Sequence, residues 1–366
     1  MQLRGLAACA LLLVVGGRAE ARDFRASVDT LVYADDDHVT VVSPQATVAT
    51  DLGGDGGELS ARGTVDVVSA ASVDVISHAT SAFHETRTAG ELAASYRFGE
   101  WLPELRLSTS DEPDYLSLGA GLGVSRRLGS PDTVLRVAWN GLHDRVSRTG
   151  TPIDVFSRTL DTESFDVSLA QNLDAETVLR ATYSLVLQDG YQAKPYRYVP
   201  MFDASGASLS ERPPEEVPDW RVRHAFALRA LRWLDGLGSL RGDYRYYVDS
   251  WSMQAHTLDV ALAVPLPAGL RVTVENRLHY QTSVSFWEKE YVVGASDGAL
   301  PRYRSLDREL SEDLVETASL RLDWQAGRWR TYVDVGGQYA RFFDFLLLDA
   351  RKALLVQVGL RYDLGE

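Results

Sequence analysis

Residues 353–364 read Ala-Leu-Leu-Val-Gln-Val-Gly-Leu-Arg-Tyr-Asp-Leu, and this stretch decides the fold class. From position 354 onward every even residue is apolar, whereas nearly every odd residue is polar or glycine. Successive side chains of an extended chain point to opposite faces, so this pattern predicts a β-strand with one apolar and one polar face. A strand of a soluble sandwich has about 5 to 6 residues. A strand that crosses a bilayer needs about 9 to 11, and the stretch has that length.

The end of the stretch, residues 357–364, resembles the insertion signal in the last strand of outer-membrane barrels. That signal has a polar residue, a glycine, an aromatic residue and a final large side chain, which correspond here to Gln357, Gly359, Tyr362 and Leu364. It usually ends in phenylalanine at the terminus, whereas here the last position is leucine and two residues follow. The resemblance implies that the barrel-assembly machinery is a partner of the C-terminal strand.

The N-terminus has the organisation of a secretory signal peptide. A short basic start precedes an apolar run over residues 5–17, and Ala19-Glu20-Ala21 forms a cleavage site. We therefore expect residues 1–21 to be removed and residues 22–366 to form a single domain. Cys9 is the only cysteine and lies in the removed segment. Disulfides, thiol catalysis and cysteine metal sites are then excluded from the processed chain.

Charge and hydropathy narrow the remaining classes. The chain has 37 Lys and Arg residues against 51 Asp and Glu residues, and its formal net charge is -14. This balance argues against nucleic acid as a partner, because binding to nucleic acid requires basic residues that neutralise phosphates. Beyond residue 21 no apolar run approaches 18 residues, so we expect no membrane-spanning helix. The chain is then a periplasmic protein, a secreted protein or a β-barrel.

Alternation continues along the chain in segments that turn residues separate. It predicts sixteen strands, at 24–34, 38–50, 58–69, 83–98, 103–111, 115–128, 133–145, 160–172, 176–188, 220–234, 238–250, 253–265, 269–282, 313–326, 329–343 and 347–364. This pattern is typical of an all-β fold. It favours a closed antiparallel transmembrane β-barrel of about 16 strands, in a range of 14 to 18. A soluble sandwich, with its apolar faces buried between two sheets, is the alternative.

The connections between the predicted strands alternate in length. One set is short: 51–57, 99–102, 129–132, 173–175, 235–237, 266–268 and 327–328. The other set contains the four longest, 70–82, 146–159, 189–219 and 283–312. Bacterial barrels have short periplasmic turns and long extracellular loops, with aromatic girdles at both interfaces. Aromatic residues near segment ends predict these girdles: Tyr96, Phe98, Trp101, Tyr280, Trp324, Trp329, Tyr339, Phe342 and Phe343. We therefore expect the protein in the outer membrane of a diderm bacterium, surrounded by lipid.

A dense set of charged residues lies on the predicted inner face of neighbouring strands. The candidate lumen residues are Arg221, Arg223, Arg241, Asp243, Arg245, Asp249, Arg277, His279 and Gln281. Arginines that face carboxylates can form an ion-pair network that stiffens the barrel. They can also act as an electrostatic filter for a charged solute. The sequence leaves both interpretations open.

A second polar region lies between the third and fourth predicted strands. The candidate constriction or loop residues are Asp66, Asp74, His78, His84, Glu85 and Arg87, with Glu112 and Asp114 further on. Asp74, His78 and His84 are types that ligate first-row metals, but their spacing matches no metal motif, so a solvated loop is the alternative. No cofactor is predicted. The proline-rich loop 189–219 is a candidate lid, binding surface or rim that packs into the lumen.

Several motifs resemble a family of uncharacterised bacterial outer-membrane barrels, the domain of unknown function 3570. They include residues 65–72 (Val-Asp-Val-Val-Ser-Ala-Ala-Ser), 110–115 (Ser-Asp-Glu-Pro-Asp-Tyr), 211–213 (Glu-Arg-Pro) and 244–247 (Tyr-Arg-Tyr-Tyr). Ala70 stands where the family usually has glycine. The resemblance implies the fold and the location, and the family has no established chemistry. Its members are often encoded beside periplasmic thioredoxin-like and flavin-transfer proteins, which implies a periplasmic partner in envelope redox or metal handling.

Three functions remain open. The first is a channel or transporter for a small solute or ion, through a lumen of mixed charge. The second is a closed barrel that scaffolds a periplasmic or surface partner, with loops 70–82 and 189–219 as the contact surface. The third is a surface enzyme acting through His78, His84 or Glu85. None of the seven histidines lies in a recognisable nucleophile motif, so we expect no enzyme.

Overall fold

Sixteen antiparallel strands close into a barrel in the computed structural model, which describes residues 23–53, 56–70, 83–129, 132–210, 212–293 and 300–364. The strands are β1 (Phe24–Asp35), β2 (Val39–Asp51), β3 (Glu58–Ala70), β4 (Phe83–Ser95), β5 (Trp101–Asp111), β6 (Tyr115–Arg127), β7 (Thr133–Val146), β8 (Arg158–Asn172), β9 (Thr177–Gly190), β10 (Met201–Phe202), β11 (Trp220–Leu234), β12 (Gly238–Asp249), β13 (Gln254–Leu266), β14 (Leu270–Gln281), β15 (Tyr291–Val292), β16 (Asp313–Ala326), β17 (Trp329–Phe342) and β18 (Ala350–Asp363).

Each barrel strand pairs with its neighbours in the chain, and β1 pairs with β18 to close the cylinder. The predicted fold class and the number of barrel strands are confirmed. The two-residue strands β10 and β15 stand outside the barrel and pair in parallel with each other, and the sequence did not predict them. The predicted signal peptide, residues 1–21, lies outside the described residues.

Alternation gives the barrel two different surfaces. On β17, Val333 and Val335 are exposed on the outside, whereas Asp334 lines a cavity of the interior. On β14, Val274 and Leu278 are likewise exposed, and Glu275 and His279 face cavities inside. A soluble protein would bury such apolar rows. This barrel presents them outward all around, as a cylinder solvated by lipid tails does.

The two ends of the barrel differ. The connections that follow β2, β4, β6, β8, β11, β13 and β16 are all short, and they share one end of the barrel, the short-turn end. The long connections 191–219 and 282–312 lie at the opposite end, the long-loop end. The predicted asymmetry is therefore present. Among the described residues, no helix has both the length and the apolar character needed to cross a membrane.

Most of the predicted girdle residues are exposed on the outer surface. Trp101, Trp324 and Trp329 lie near the short-turn end, and Tyr339 lies near the long-loop end. The prediction was wrong for Phe342, because this side chain points inward and is buried in an apolar cluster at the long-loop end. Phe342 is the last residue of β17, and Ala340, two residues earlier, is also buried.

The closing seam contains a contact that explains a glycine of the C-terminal stretch. The ring of Tyr332 on β17 lies across Gly359 on β18, and a Cβ at position 359 would overlap that ring. The Tyr332 hydroxyl then donates a 2.7 Å hydrogen bond to Asp29 Oδ1 on β1. The guanidinium of Arg321 lies 3.6 Å from the centre of the Tyr332 ring. One side chain thus connects the three strands at the seam.

Candidate functional site: a capped lumen

The described parts of two long loops form a cap at the long-loop end, which we define as residues 191–210, 212–219, 282–293 and 300–312. The cap has a sheet of its own, formed by β10 and β15. Beyond that pair, the backbones of Glu216 and Arg304 exchange hydrogen bonds of 2.8 and 3.0 Å. Val199, Met201 and Tyr291 are almost completely buried between the loops. The two loops therefore fold as one unit.

The cap packs against the inner wall of the barrel through a second apolar cluster. Val217, Val284, Trp287 and Leu306 contribute to it from the cap. From the wall and its hairpins come Trp251, Met253, Ala340, Phe342 and Phe345, all buried. Burial of apolar side chains is the main force that holds a loop in place. The sequence had offered a lid, a binding surface or a rim for loop 189–219, and the structure shows a rim packed into the barrel mouth.

Charged residues clamp the two loops together. Arg197 lies 2.7 Å from Asp307 Oδ2 and 3.5 Å from Glu215 Oε1, so one guanidinium serves two carboxylates. Ser305 also donates its hydroxyl to Glu215. Burial raises the pKa of Glu215, and Arg197 only partly offsets this effect. Burial also opposes ionisation of Asp307, but Arg197 and Lys194 hold the pKa of Asp307 below its ordinary value.

The cap is also attached to the wall by polar contacts on two sides. Arg308 Nη1 lies 2.7 Å from Asp37 Oδ2, in the hairpin between β1 and β2. Gln281, at the end of β14, donates its amide to the backbone oxygens of Glu309 and Ser311, at 2.9 Å each. These bonds fix the height of the cap in the barrel. Gln281 was a candidate lumen residue, and its place is in the cap attachment.

Beneath the cap lies a chamber of about 430 Å³. Its wall is formed by residues of β11 to β14 together with Leu160 of β8 and Gln188 of β9, and its roof by the cap. The wall contributes Arg221, Arg223, Arg245, Tyr247, Thr257 and His279, and the roof contributes Gln192, Lys194, Glu215, Asp307 and Glu309. The volume is in the range of about 300 to 1,000 Å³ that small-molecule sites occupy. Five of the nine predicted lumen residues therefore line one cavity: Arg221, Arg223, Arg245, His279 and Gln281.

One of the chamber arginines is fully engaged. Arg221 donates from Nε to Asp249 Oδ2 at 2.8 Å, and the Asp249 side chain has no exposed area. Asp249 also accepts from the Tyr247 hydroxyl at 2.7 Å and from the backbone N–H groups of Trp251 and Met253. The guanidinium of Arg221 lies 4.1 Å from the Trp251 ring. This pair locks the β12–β13 hairpin to β11.

Arg223 and Arg245 have a different environment. Arg223 lies opposite Asp249 in the strand register, but Asp249 is occupied by Arg221. The Nε atom of Arg223 is buried and has no hydrogen-bond partner among the described residues. Arg245 is exposed to the lumen, and it forms no ion pair with a carboxylate of the described residues. Its cross-strand neighbour Thr257 lies 2.8 Å from His279 Nδ1.

The lumen below the chamber contains charges that neutralise one another. Two cavities of about 240 and 280 Å³ lie there, each lined by both arginines and carboxylates. Arg241 pairs with Asp243 at 3.0 Å and with Glu275 at 2.9 Å. Arg277 pairs with Asp259 at 3.8 Å. The candidate lumen residues Arg241, Asp243 and Arg277 thus belong to an ion-pair network and do not line the chamber.

The second candidate set is partly described. Asp66, Glu85 and Arg87 lie on β3 and β4, and Glu112 and Asp114 lie in the turn after β5. Arg87 Nε lies 3.6 Å from Asp66 and 3.8 Å from Glu112. Carboxylate oxygens of Glu85, Glu112 and Asp114 come within 4.8 Å of one another, and burial raises the pKa of Glu112. Asp74, His78 and the His84 side chain lie outside the described residues.

The closed barrel, its apolar outer surface and its two unequal ends define the class of the protein, an outer-membrane β-barrel of the Gram-negative type. The sequence model of the family described as "Protein of unknown function (DUF3570)" matches residues 157–335. That match confirms the resemblance predicted from the motifs. Every residue that lines the chamber lies inside the matched segment. No curated protein matches the chain.

Several solved structures are similar to this chain at low sequence identity. CdiB from Acinetobacter baumannii has a TM-score of 0.52 and 10% identity, over 92% of this chain and 60% of that one. The siderophore receptor PirA from the same organism has a TM-score of 0.47 and 11% identity, over 87% of this chain and 53% of that one. OmpT of Vibrio cholerae has a TM-score of 0.46 and 9% identity, over 95% of this chain and 99% of that one. The chain spans 53% to 60% of the length of the first three solved structures that it matches.

Proposed function

We propose that the protein is a channel or transporter for a small solute, and that the solute occupies the chamber beneath the cap. The observation that carries the proposal is the chamber itself, a cavity of about 430 Å³ between the cap and the inner wall. Convergent polar groups in a cavity of this size are the usual mark of a small-molecule site. Below the chamber, two further cavities of the lumen are lined by polar and charged side chains.

The cap supports selective passage over free diffusion. It is held by an apolar cluster and by the ion pairs of Arg197 and Arg308, so it narrows the mouth as a fixed structure. A wide water-filled pore would pass solutes by size alone. A narrowed mouth above a charged chamber selects by size and by charge.

Solute uptake into liposomes tests the proposal. Purified protein is reconstituted, and swelling is followed in neutral sugars and organic acids of increasing mass. A channel with a capped mouth gives swelling rates that fall steeply with solute size. A variant with 192–217 and 284–310 replaced by short glycine-serine linkers, as the control, admits larger solutes. Proteoliposomes that swell no faster than empty liposomes in any solute would refute the proposal.

A second candidate function is the docking of a partner on the cap. Several large apolar side chains are exposed at the long-loop end: Ile153, Val155, Tyr196, Tyr198, Val292 and Leu300. Contiguous exposed apolar groups often mark protein interaction sites. This candidate corresponds to the closed barrel that scaffolds a surface partner, whereas a periplasmic partner in envelope redox or metal handling would have to meet the short-turn end. Cross-linking in intact envelopes, repeated with the capless variant, distinguishes it, because only docking on the cap loses its cross-link.

The proposal includes the partners expected from the sequence. Lipid covers the apolar outer surface. The barrel-assembly machinery recognises the insertion signal of residues 357–364, at the end of β18. No catalytic role is assigned to the barrel. A hydrolytic activity that is lost on replacing His78, His84 or Glu85 would contradict that assignment.

A further inference from the structure

We propose that the chamber binds an oxyanion, a carboxylate or a phosphate group of a small solute, and that Arg223 and Arg245 hold it. This inference deepens the proposed function, because it gives the chemical class of the solute for the same chamber. It rests on the charge balance of the chamber wall and on one unsatisfied donor.

Arg223 provides the unsatisfied donor. Its Nε atom is buried, and no described residue accepts its hydrogen. The nearest carboxylate by register is Asp249, but Asp249 already accepts from Arg221, Tyr247 and two backbone N–H groups. A buried N–H group without an acceptor is unfavourable in a protein interior. An oxyanion in the chamber would supply the acceptor that the chain does not.

Arg245 supplies the second charge. It lies on β12 and lines the same chamber, where it is exposed to the lumen. The other arginines of β11 and β12 that point inward have carboxylate partners: Arg221 with Asp249, Arg229 with Asp243, and Arg241 with Asp243 and Glu275. Arg245 has no such partner among the described residues. Two guanidinium groups that form no ion pair with a carboxylate of the described residues thus face one cavity.

The carboxylates of the roof do not neutralise these two arginines. Glu215 and Asp307 both contact Arg197, and Ser305 also binds Glu215. Glu309 is the remaining acid among the lining residues, and Lys194 also lines the roof. The unpaired charge of the wall is therefore positive. Guanidinium groups bind carboxylates and phosphates through paired, charge-assisted hydrogen bonds, so an oxyanion fits this wall and a cation does not.

Isothermal titration of the full-length barrel in detergent tests the inference. The probes are gluconate and inorganic phosphate, and glucose is the uncharged match for gluconate. We expect one site that binds at least one of the two anions and does not bind glucose. A response to gluconate alone assigns a carboxylate, and a response to phosphate alone assigns a phosphate group.

Arg223→Gln and Arg245→Gln should each weaken anion binding at least tenfold, which corresponds to about 1.4 kcal/mol. Arg245 is exposed to the lumen, so its replacement leaves the fold intact even if Arg223→Gln does not fold. Arg229→Gln is the matched control. Arg229 lies on β11, as Arg223 does, but it pairs with Asp243 and does not line the chamber. It should leave binding unchanged.

The inference is overturned if neither anion binds at concentrations up to about 10 mM. Binding would then be weaker than that of a site with a Kd of about 1 mM, which corresponds to −4.1 kcal/mol. It is also overturned if binding survives unchanged in both chamber variants. Titration measures no transport. A barrel that binds the anion but takes up no solute therefore contradicts only the proposed function, and one that takes up solutes without binding either anion contradicts only this inference.

Discussion

Removing the charge of Asp249 should destabilise the barrel far more than removing an equivalent charge deeper in the lumen. The Asp249 side chain is fully buried, and Arg221, its partner, is only 8% exposed. Asp249→Asn keeps an oxygen that can accept from the N–H groups of Trp251 and Met253. The substitution therefore keeps the hydrogen bonds of the β12–β13 hairpin and leaves the buried guanidinium of Arg221 unpaired. Breaking one side of a buried pair costs about 3 to 5 kcal/mol.

Asp259→Asn is the matched control. Asp259 pairs with Arg277 at 3.8 Å, and the Arg277 side chain is 54% exposed to the lumen. A pair of this kind contributes about 1 kcal/mol or less. The assay is equilibrium unfolding in urea of the barrel in lipid vesicles, with the free energy of unfolding obtained by linear extrapolation.

A double replacement separates the charge from the packing. Arg221→Met in the Asp249→Asn background removes the unpaired guanidinium, so it should recover much of the lost free energy. Equal losses for Asp249→Asn and Asp259→Asn would refute the reasoning. No recovery in the double variant would likewise show that the buried charge is not the cause.

Three further predictions concern the loops. Gly190→Ala should lower the free energy of unfolding in urea by about 3 kcal/mol or more, because Gly190 has a φ of +123° and a Cβ there would overlap the Thr159 carbonyl oxygen. Gly242→Ala is the control and should cost little, because a Cβ at position 242 meets nothing within 4 Å. Glu215→Gln should weaken the clamp by about 1 to 3 kcal/mol, because glutamine has one acceptor oxygen for two donors, the Lys194 N–H and the Ser305 hydroxyl. The loss should appear as faster hydrogen exchange over 191–219, and unchanged exchange would contradict it. The pH dependence follows from two opposite pKa shifts. The pKa of Glu215 is raised, so the contribution of Glu215 to the stability of the cap becomes more favourable as pH falls. The pKa of Asp307 is lowered, so the stability that Asp307 contributes is lost only below the ordinary aspartate pKa of about 3.9. The cap should therefore stay protected from exchange between pH 7 and pH 5, and its loss at pH 5 would contradict the assignment.

The strands could be predicted because the constraint on them is local. Each spanning segment must alternate, so the period of two is visible in the sequence without knowledge of its neighbours. The predicted segments 313–326 and 220–234 coincide with β16 and β11. Phe342 was misassigned because alternation at a strand end does not say whether lipid or a folded loop meets the side chain.

The cap could not be predicted, because its contacts join residues that are far apart in the chain. Ser305 binds Glu215 from 90 positions away in the sequence, and Arg308 binds Asp37 from 271 positions away. No periodic pattern reports such contacts. The chamber arginines illustrate a further limit. The sequence placed Arg221 and Arg223 together on the inner face. Only the side-chain packing decides that Arg221 pairs with Asp249 and that the Nε atom of Arg223 has no acceptor among the described residues.

The central claim is that the capped barrel passes small solutes, and single-channel recording in planar bilayers tests it most directly. The wild-type barrel should show small, uniform conductance steps. The capless variant should show steps several-fold larger, because the narrow mouth has been removed. A wild-type barrel that inserts into the bilayer and passes no current would contradict the claim.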